Sequence, residues 1–256
     1  MKIDQIALQP YTVRDFCKTA EDYAATLKKV RAIGYRAVEA GGFPGSVEEL
    51  RATVIGEGLT ICGCHVSGPT ILNETNKAVD HAGTLGCQYV TFPFPRLAET
   101  DLSNPAHIES LILKLDAAGA VLRKAGLTLT YHNHANEFVH FNEKPLLETI
   151  YERIPTENLQ AELDTYWVHA GGCDPVRWIN KLKNRLPLIH LKDYGVDATG
   201  RPYFAEIGYG NLDFKGIMAA AQAAGTQWFI VEQDTCPGDP FESIKKSFDY
   251  IKANLL

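Results

Sequence analysis

Nine ionisable or hydrogen-bonding side chains stand at or just beyond the ends of short apolar runs in this sequence. They are Gln9, Glu39, His65, His132, His134, Asp164, His190, Lys192 and Glu232. An ionised group is costly to bury unless it is paired or bound to a metal, so packing alone does not explain so many of them. Carboxylates and imidazoles also carry protons in catalysis and bind Mn²⁺, Zn²⁺, Co²⁺ or similar ions. The pattern therefore predicts an active site with a divalent metal ion.

Four of these residues end consecutive apolar runs. His132, Asp164, His190 and Glu232 close the fifth, sixth, seventh and eighth runs. If the runs are adjacent strands of a barrel, their carboxyl ends meet at one mouth and the side chains reach one point. Simpler explanations exist for single members, such as a hydrogen-bonded histidine at the rim or a cap formed by Asp164 on the following loop. The set is more specific than any member, and it predicts the metal site.

Strand-like and helix-like segments alternate along the chain. Eight runs are continuously apolar, which is typical of strands buried on both faces. They span 5–9, 36–40, 59–65, 87–92, 127–132, 159–164, 186–192 and 228–233. The segments between them carry apolar residues three and four apart, which predicts helices. These span 19–33, 47–55, 73–85, 105–124, 145–154, 175–182, 214–224 and 240–255.

The helix boundaries and the count of elements predict one fold. Asn104, Asp174 and Asp239 each precede a proline, the pattern of a capped first turn. Glycines at 34, 58, 86, 126 and 225 stand where predicted helices end. Eight βα units of about 30 residues each predict a single-domain (β/α)8 TIM barrel over residues 1–256. The alternative, a doubly wound open sheet, would carry G-x-G-x-x-G after the first strand, where this sequence has QPYT.

The composition disfavours several other classes of protein. The 256 residues include 25 Lys and Arg against 31 Asp and Glu, giving a net charge of −6. Without a basic cluster, nucleic acid is not an expected partner. No apolar stretch approaches the roughly 18 residues of a membrane helix, and no secretory signal is evident. Six scattered cysteines, with neither a disulfide framework nor CxxC spacing, favour reduced thiols and a cytoplasmic protein.

Seven segments carry a resemblance to a known family. They are 9–15 (QPYTVRD), 34–39 (GYRAVE), 131–138 (YHNHANEF), 162–167 (ELDTYW), 190–193 (HLKD), 208–210 (GYG) and 231–233 (VEQ). On these motifs the sequence resembles the xylose isomerase-like TIM barrel superfamily, in particular its sugar phosphate isomerase/epimerase proteins. The resemblance covers essentially the whole chain. It does not choose among the isomerases, epimerases, dehydratases, lyases and the DNA-repair nuclease that the superfamily contains.

The resemblance implies a metal held by residues that end strands six, seven and eight. These are Asp164, His190 and Glu232. In the family's ketose epimerases the fourth ligand is a glutamate that ends strand five. This sequence has His132 there, and His134 and Glu137 are alternative ligands. The difference puts the epimerases' two-glutamate route in doubt, because one glutamate is missing.

The resemblance further implies an isomerase or epimerase acting on a sugar, sugar phosphate or keto-sugar through an enediolate. Glu232 would carry one proton, and His132 or His134 the other, because imidazole titrates near neutral pH. Further residues near the predicted mouth are candidates for binding the substrate. They are Gln9, Glu39, His65, Glu137, Trp167, Lys192 and Glu206. The metal is expected to be Mn, Zn, Co or Mg, and the family likeness implies a homodimer.

Three other functions remain open. A lyase or dehydratase on a keto-inositol or 3-keto-glycoside would lose a β-hydroxyl or an aglycone after the same proton removal, and the histidine-rich end of strand five favours it. A phosphodiesterase would need more metal ligands and a basic groove, which a net charge of −6 disfavours. A non-catalytic sugar-binding barrel would need neither the metal nor Glu232.

Overall fold

The computed structural model describes residues 1–95 and 100–256, and its core is a closed barrel of parallel strands. The strands are β1 Ile6–Leu8, β2 Ala37–Ala40, β3 Thr60–His65, β4 Tyr89–Phe92, β5 Thr128–His132, β6 Gln160–Asp164, β7 Leu188–Leu191 and β8 Trp228–Val231. Each strand pairs with the next, and β8 pairs with β1. This confirms the predicted (β/α)8 barrel. Several strands are shorter than predicted, so Gln9, Lys192 and Glu232 lie one residue beyond their ends.

Ten α-helices are found in residues 1–95 and 100–256. They are α1 Ala20–Ile33, α2 Val47–Gly56, α3 Gly68–Asn73, α4 Thr75–Leu85, α5 Pro105–Lys124, α6 Leu146–Arg153, α7 Thr165–Ala170, α8 Pro175–Lys181, α9 Phe214–Ala224 and α10 Pro240–Asn254. The sequence predicted eight, because α3 and α7 are too short to show a helical period. Ser67 caps α3 and Asp164 caps α7. None of the helices in the described ranges is long and apolar enough to cross a membrane.

The local signals at the helix ends are confirmed. The side chains of Asn104, Asp174 and Asp239 accept backbone N–H groups at the starts of α5, α8 and α10. The glycines at 34, 58, 86, 126 and 225 all have positive φ. Such φ values favour glycine because it has no Cβ. The chain thus turns from helix to strand where the sequence predicted.

The barrel interior changes from apolar to polar along the strands. One apolar cluster contains Ala7, Ala37, Cys62, Tyr89, Leu188 and Ile230. Alternate residues of a strand point to the same face. For all of these except Cys62, the position two residues further on is polar, and these positions are Gln9, Glu39, Thr91, His190 and Glu232. The alternation therefore places polar groups above an apolar floor, toward the carboxyl ends of the strands.

A hairpin after β7 is an addition that the βα pattern did not predict. It pairs Asp193–Val196 with Pro202–Ala205. The Asp193 carboxylate accepts the backbone N–H groups of Tyr194, Gly208, Gly210 and Leu212 at 2.8–3.2 Å. A Cβ at Gly210 would lie 2.4 Å from Asp193 Oδ1, so the close approach requires glycine. Asp193 thus joins the hairpin and the segment 208–210 (GYG), which we call the glycine loop, into one unit.

Helix α5 contacts the turn before β6 at Gly119. A Cβ at Gly119 would lie 1.8 Å from the backbone oxygen of Asn158. The Asn158 side chain bonds Asp116 and Arg123 of the same helix at 2.7 and 3.1 Å. This contact fixes the start of β6, whose far end carries Asp164.

Replacing Gly119 by Ala is expected to lower the free energy of unfolding by about 1–3 kcal/mol, the usual cost of overpacking. The loss should appear although alanine favours a helix by about 1 kcal/mol over glycine. Gly83 in α4 is the control, because it is exposed and an added Cβ would meet no atom within 4 Å. Gly83→Ala should stabilise the protein. Urea unfolding of both variants measures the difference, and equal effects would contradict the close contact.

Candidate active site

A cavity of about 460 Å³ opens at the carboxyl ends of the strands. Six of the residues predicted from the sequence line it. They are Gln9, His65, His132, His134, Lys192 and Glu232. Tyr11, Phe94 and Asp234 also line it and were not predicted. The cavity is therefore the place where a substrate could meet the predicted catalytic groups.

The predicted metal ligands come together at this cavity. One ligand atom from each of His132, Asp164, His190 and Glu232 lies within 4.8 Å of the others, and all four side chains are buried. We call these residues the metal group. The β5 member is His132, whereas the alternative ligands His134 and Glu137 lie outside the group. The geometry thus agrees with the first choice made from the sequence.

His132 presents a free nitrogen to the metal group. Its Nδ1 lies 3.0 Å from the Pro93 carbonyl oxygen, which can only accept, so Nδ1 carries the hydrogen. Its Nε2 lies 3.4 Å from Asp164 Oδ2 and has no hydrogen-bond partner in the described residues, while Asp164 Oδ2 lies 3.2 Å from the Lys192 ammonium. Buried polar atoms are rarely left without a partner. A divalent ion bound by both atoms would give Nε2 its partner and would balance the charge of Oδ2, so the donor set fits a metal.

Asp164 has two roles at once. Its Oδ1 accepts the backbone N–H of Trp167 at 3.0 Å and caps α7. Its Oδ2 faces the metal group. The helix cap that the sequence offered as a simpler explanation is therefore present. It orients the carboxylate through Oδ1 and leaves Oδ2 for the metal group.

Lys192 places a buried cation beside the metal group. Its Nζ lies 2.8 Å from Glu232 Oε2, 3.2 Å from Asp164 Oδ2 and 3.0 Å from Asp234 Oδ1. Burial disfavours its charged form, but the three carboxylates outweigh burial and raise the pKa of Lys192 above its ordinary value. Burial likewise opposes ionisation of Glu232, yet Lys192 and His190 hold the pKa of Glu232 well below its usual range. The adjacent residue Asp193 bonds backbone N–H groups and does not pair with Lys192.

A second polar cluster lies next to the metal group and shares His190 with it. It consists of Glu39, His65, Glu162 and His190, and we call it the support layer. Its four nitrogen–oxygen separations are 2.8–3.1 Å. Burial opposes the charged form of His65, but Glu39 and Glu162 raise its pKa to about 10. Glu162 was not among the predicted site residues, although it stands two positions before Asp164 on the same face of β6.

His134 and Glu137 form a separate pair near the mouth. The buried Glu137 carboxylate accepts the Tyr131 hydroxyl and the His134 backbone N–H, both at 3.0 Å. The His134 ring lies edge-on to Phe94, with centroids 4.3 Å apart. Burial, His132 and Lys192 lower the pKa of His134 to about 3. His134 is thus a neutral imidazole in the cavity wall, and Glu137 fixes its backbone.

Four predicted substrate-binding residues are not among the side chains that line the cavity, namely Glu39, Glu137, Trp167 and Glu206. Glu39 and Glu137 are fully buried, in the support layer and beside His134 respectively. Trp167 packs against the His134 ring with centroids 5.0 Å apart. Glu206 lies in a separate surface groove, where it accepts the Ser243 hydroxyl at 3.0 Å and pairs with Lys246 at 3.3 Å. The hairpin after β7 separates Glu206 from the strand ends along the chain, which the sequence pattern did not show.

Comparison with known proteins places this geometry in a family. A sequence profile of the xylose isomerase-like TIM barrel matches residues 27–254. The chain belongs to this family. Membership agrees with the closed parallel barrel, and it confirms the resemblance carried by the sequence motifs.

Curated relatives of this family member are inosose dehydratases. The enzyme of Geobacillus thermodenitrificans (strain NG80-2) is 28% identical over 159 residues, covering 56% of this chain and 53% of the relative. The enzyme of Geobacillus kaustophilus (strain HTA426) is 26% identical over 263 residues, covering 88% and 85%. The match to the first relatives thus spans about half of their length.

Solved structures of the family share the fold. A sugar phosphate isomerase/epimerase from Parabacteroides distasonis ATCC 8503 superposes with a TM-score of 0.82 at 23% identity, covering 100% of this chain and 96% of that one. A xylose isomerase-like TIM barrel protein from Mycobacterium smegmatis, solved in complex with magnesium, gives 0.77 at 18% identity, covering 96% and 95%. At these identities the likeness is one of fold.

Lys192→Met is expected to unbalance the charge of the metal group. Methionine keeps an unbranched stem but leaves Asp164, Glu232 and Asp234 without their ammonium, at a cost of about 3–5 kcal/mol in the metal-free protein. Added Mn²⁺ should raise the melting temperature of this variant more than that of the wild type, because no ammonium competes for the oxygens. Thermal unfolding with EDTA and with Mn²⁺ measures both effects.

The control is Lys246→Met, which removes a surface ion pair with Glu206. Exposed pairs contribute about 0–1 kcal/mol, so its melting temperature and its response to Mn²⁺ should match the wild type. An equal response to Mn²⁺ in Lys192→Met and the wild type would show that Lys192 does not compete with the ion.

Proposed function

We propose that this protein is a divalent-metal-dependent lyase acting on a cyclic keto-sugar or keto-inositol. It removes a proton from the carbon next to the keto group and then expels a substituent from the β carbon. The observation that carries the proposal is the buried metal group, with the unpartnered Nε2 of His132, at a substrate-sized cavity. A divalent ion held there would stabilise the negative charge that develops on the substrate oxygen as the proton leaves.

Glu232 is the residue we assign to the proton transfer. Its carboxylate lines the cavity, and His190 and Lys192 contact the same oxygen, Oε2. Glu232 takes the C–H proton, and a carbon–carbon double bond forms as the bond from the β carbon to its oxygen breaks. The proton then passes to that oxygen, which departs as water or as an alcohol. One acid–base residue therefore suffices for elimination.

Epimerisation requires more of the site than elimination does. Protons must be removed and returned on opposite faces of one carbon, which takes two carriers. The β5 residue is His132, whose Nδ1–H is bonded to Pro93 and whose Nε2 faces the metal group. It has no free proton to exchange with a substrate. Because β5 ends in His132 and not in a second acid–base residue, the site favours elimination. The likeness to inosose dehydratases favours it as well, because their name describes loss of water from a keto-inositol.

The second candidate is a sugar isomerase or epimerase. His134 favours it, because this imidazole lines the cavity and could act as the second proton carrier beside Glu232. The fold shared with a sugar phosphate isomerase/epimerase agrees with this candidate. The two reactions begin with the same proton removal and differ in where the proton goes.

Product analysis distinguishes the two candidates. The metal-stripped protein, reloaded with Mn²⁺, is incubated in D₂O with an inosose and, separately, with a 3-keto-glycoside, and the products are followed by NMR. We expect an unsaturated product with release of water or the aglycone, and no reaction in EDTA. Isomers formed without elimination would exclude the lyase and support the second candidate. If neither substrate reacted and neither exchanged deuterium with Mn²⁺, Zn²⁺, Co²⁺ or Mg²⁺, both candidates would be contradicted.

Asp164→Asn tests the metal group in the same assay. The amide weakens one ligand and leaves the cap on α7 possible, so kcat/KM should fall by about 100-fold or more while the fold is retained. The matched control is Glu148→Gln, an acid-to-amide change at a surface pair with Lys181. The control should keep the activity of the wild type. Equal activities of Asp164→Asn and the control would exclude Asp164 as a ligand.

A further inference from the structure

We propose that Glu162, assisted by Glu39, is a positioning residue that orients His190 toward the metal. The inference rests on the proposed metal site. It gives a role to Glu162, for which the sequence predicted none. His190 is the one residue that the metal group and the support layer share. The contacts that hold its ring therefore decide which ring nitrogen faces the metal group.

The two nitrogens of His190 face different clusters. Nδ1 lies 3.0 Å from Glu232 Oε2 in the metal group. Nε2 lies 2.8 Å from Glu39 Oε2 and 3.0 Å from Glu162 Oε1. Carboxylates accept hydrogen bonds, so each ring nitrogen faces an acceptor in the metal-free protein. Nδ1 is the nitrogen on the side of the metal group, where an ion would take the place of its hydrogen, while Nε2 keeps its hydrogen between Glu39 and Glu162. The ring cannot turn without losing both contacts at Nε2.

The separations show why the support layer holds protons and not a second metal ion. Nitrogen and oxygen ligands at about 2.0–2.1 Å from a tetrahedral ion lie about 3.3 Å apart. The four separations in the support layer are 2.8–3.1 Å, which is the range of hydrogen bonds. In the metal group His190 Nδ1 and Glu232 Oε2 are also 3.0 Å apart, but His132 Nε2 and Asp164 Oδ2 stand 3.4 Å apart and Nε2 has no hydrogen-bond partner in the described residues. The proposal therefore places the ion in the metal group, and the support layer holds one of its ligands in position.

Glu162 is itself held rigidly. Its side chain is fully buried, and its second oxygen accepts the Thr91 hydroxyl at 2.7 Å. Thr91 in turn contacts the Thr130 hydroxyl at 2.8 Å. On the other side, Glu39 accepts Gln9 Nε2 at 2.8 Å. Both carboxylates are thus fixed before a metal binds, as expected of groups that orient a ligand.

Metal affinity is the first test, measured by calorimetric titration of Mn²⁺ into the metal-stripped full chain. Glu162→Gln keeps the size of the side chain but loses its charge, and it should weaken Mn²⁺ binding about 10–100-fold. Thr91→Val removes the donor that holds Glu162 and should weaken binding by less. It keeps the inference testable if Glu162→Gln fails to fold. Tyr35→Phe is the control, because it loses a buried hydrogen bond to the Ile244 carbonyl far from the site. It should lower the melting temperature and leave the Mn²⁺ affinity unchanged.

The second test measures by NMR which nitrogen of His190 is protonated and which one binds the metal. In protein labelled with ¹⁵N-histidine and loaded with diamagnetic Zn²⁺, long-range ¹H–¹⁵N spectra should show His190 with a protonated Nε2 and a metal-shifted Nδ1. Glu162→Gln should broaden or split these signals, which a purely structural role of Glu162 would leave in place.

The outcomes separate this inference from the proposed function. If the wild type binds one Mn²⁺ ion and Glu162→Gln binds it equally well with unchanged spectra, the positioning role is excluded and the proposed function stands. Two tightly bound ions per chain would also exclude it, because the support layer would then be a metal site. If the wild type binds no divalent ion, the inference fails together with the metal site on which it rests.

Discussion

The need to balance charge inside a closed barrel governs this site. The metal group and the support layer together contain four carboxylates that are almost completely buried, namely Glu39, Glu162, Asp164 and Glu232. An isolated carboxylate in such surroundings is strongly unfavourable, and removing one partner of a buried pair leaves the other uncompensated. His65, His190 and Lys192 supply the compensating groups within the described residues. The positions of these seven side chains are therefore mutually dependent, and few of them could change alone.

The strands produce this arrangement with little additional structure. β6 contributes Glu162 to the support layer and, two residues on, Asp164 to the metal group. The chain leaving β7 repeats the pattern with His190 and Lys192, and the register pairs Asp164 with His190. The connecting segments complete the geometry, since the Pro93 carbonyl fixes His132 and α7 fixes one oxygen of Asp164. Barrel closure brings the groups together, and short-range contacts then orient each one.

The barrel and the metal group were predictable from the sequence because both depend on local patterns. Apolar runs ending in ionisable residues place His132, Asp164, His190 and Glu232 at one rim, whatever the details of packing. Glu162 is not predicted from the sequence because it lies inside its run, and a continuous run predicts a strand that is apolar on both faces. Its spacing of two from Asp164 was the available signal. The hairpin and the position of Glu206 depend on contacts between distant segments, which no local pattern records.

The Asp193 unit has a consequence for how this barrel could acquire new specificities. Its carboxylate ties the hairpin to the glycine loop through backbone N–H groups, so the tie tolerates almost any side chains except at the glycines that it approaches closely. The tip at 197–201 is exposed, and the Asp197 carboxylate accepts hydrogen bonds from Thr199 and Arg201 within the tip itself. Directed evolution or loop grafting could therefore replace the residues of this tip and so change the rim of the barrel. The buried charges, where almost every substitution is costly, would stay as they are.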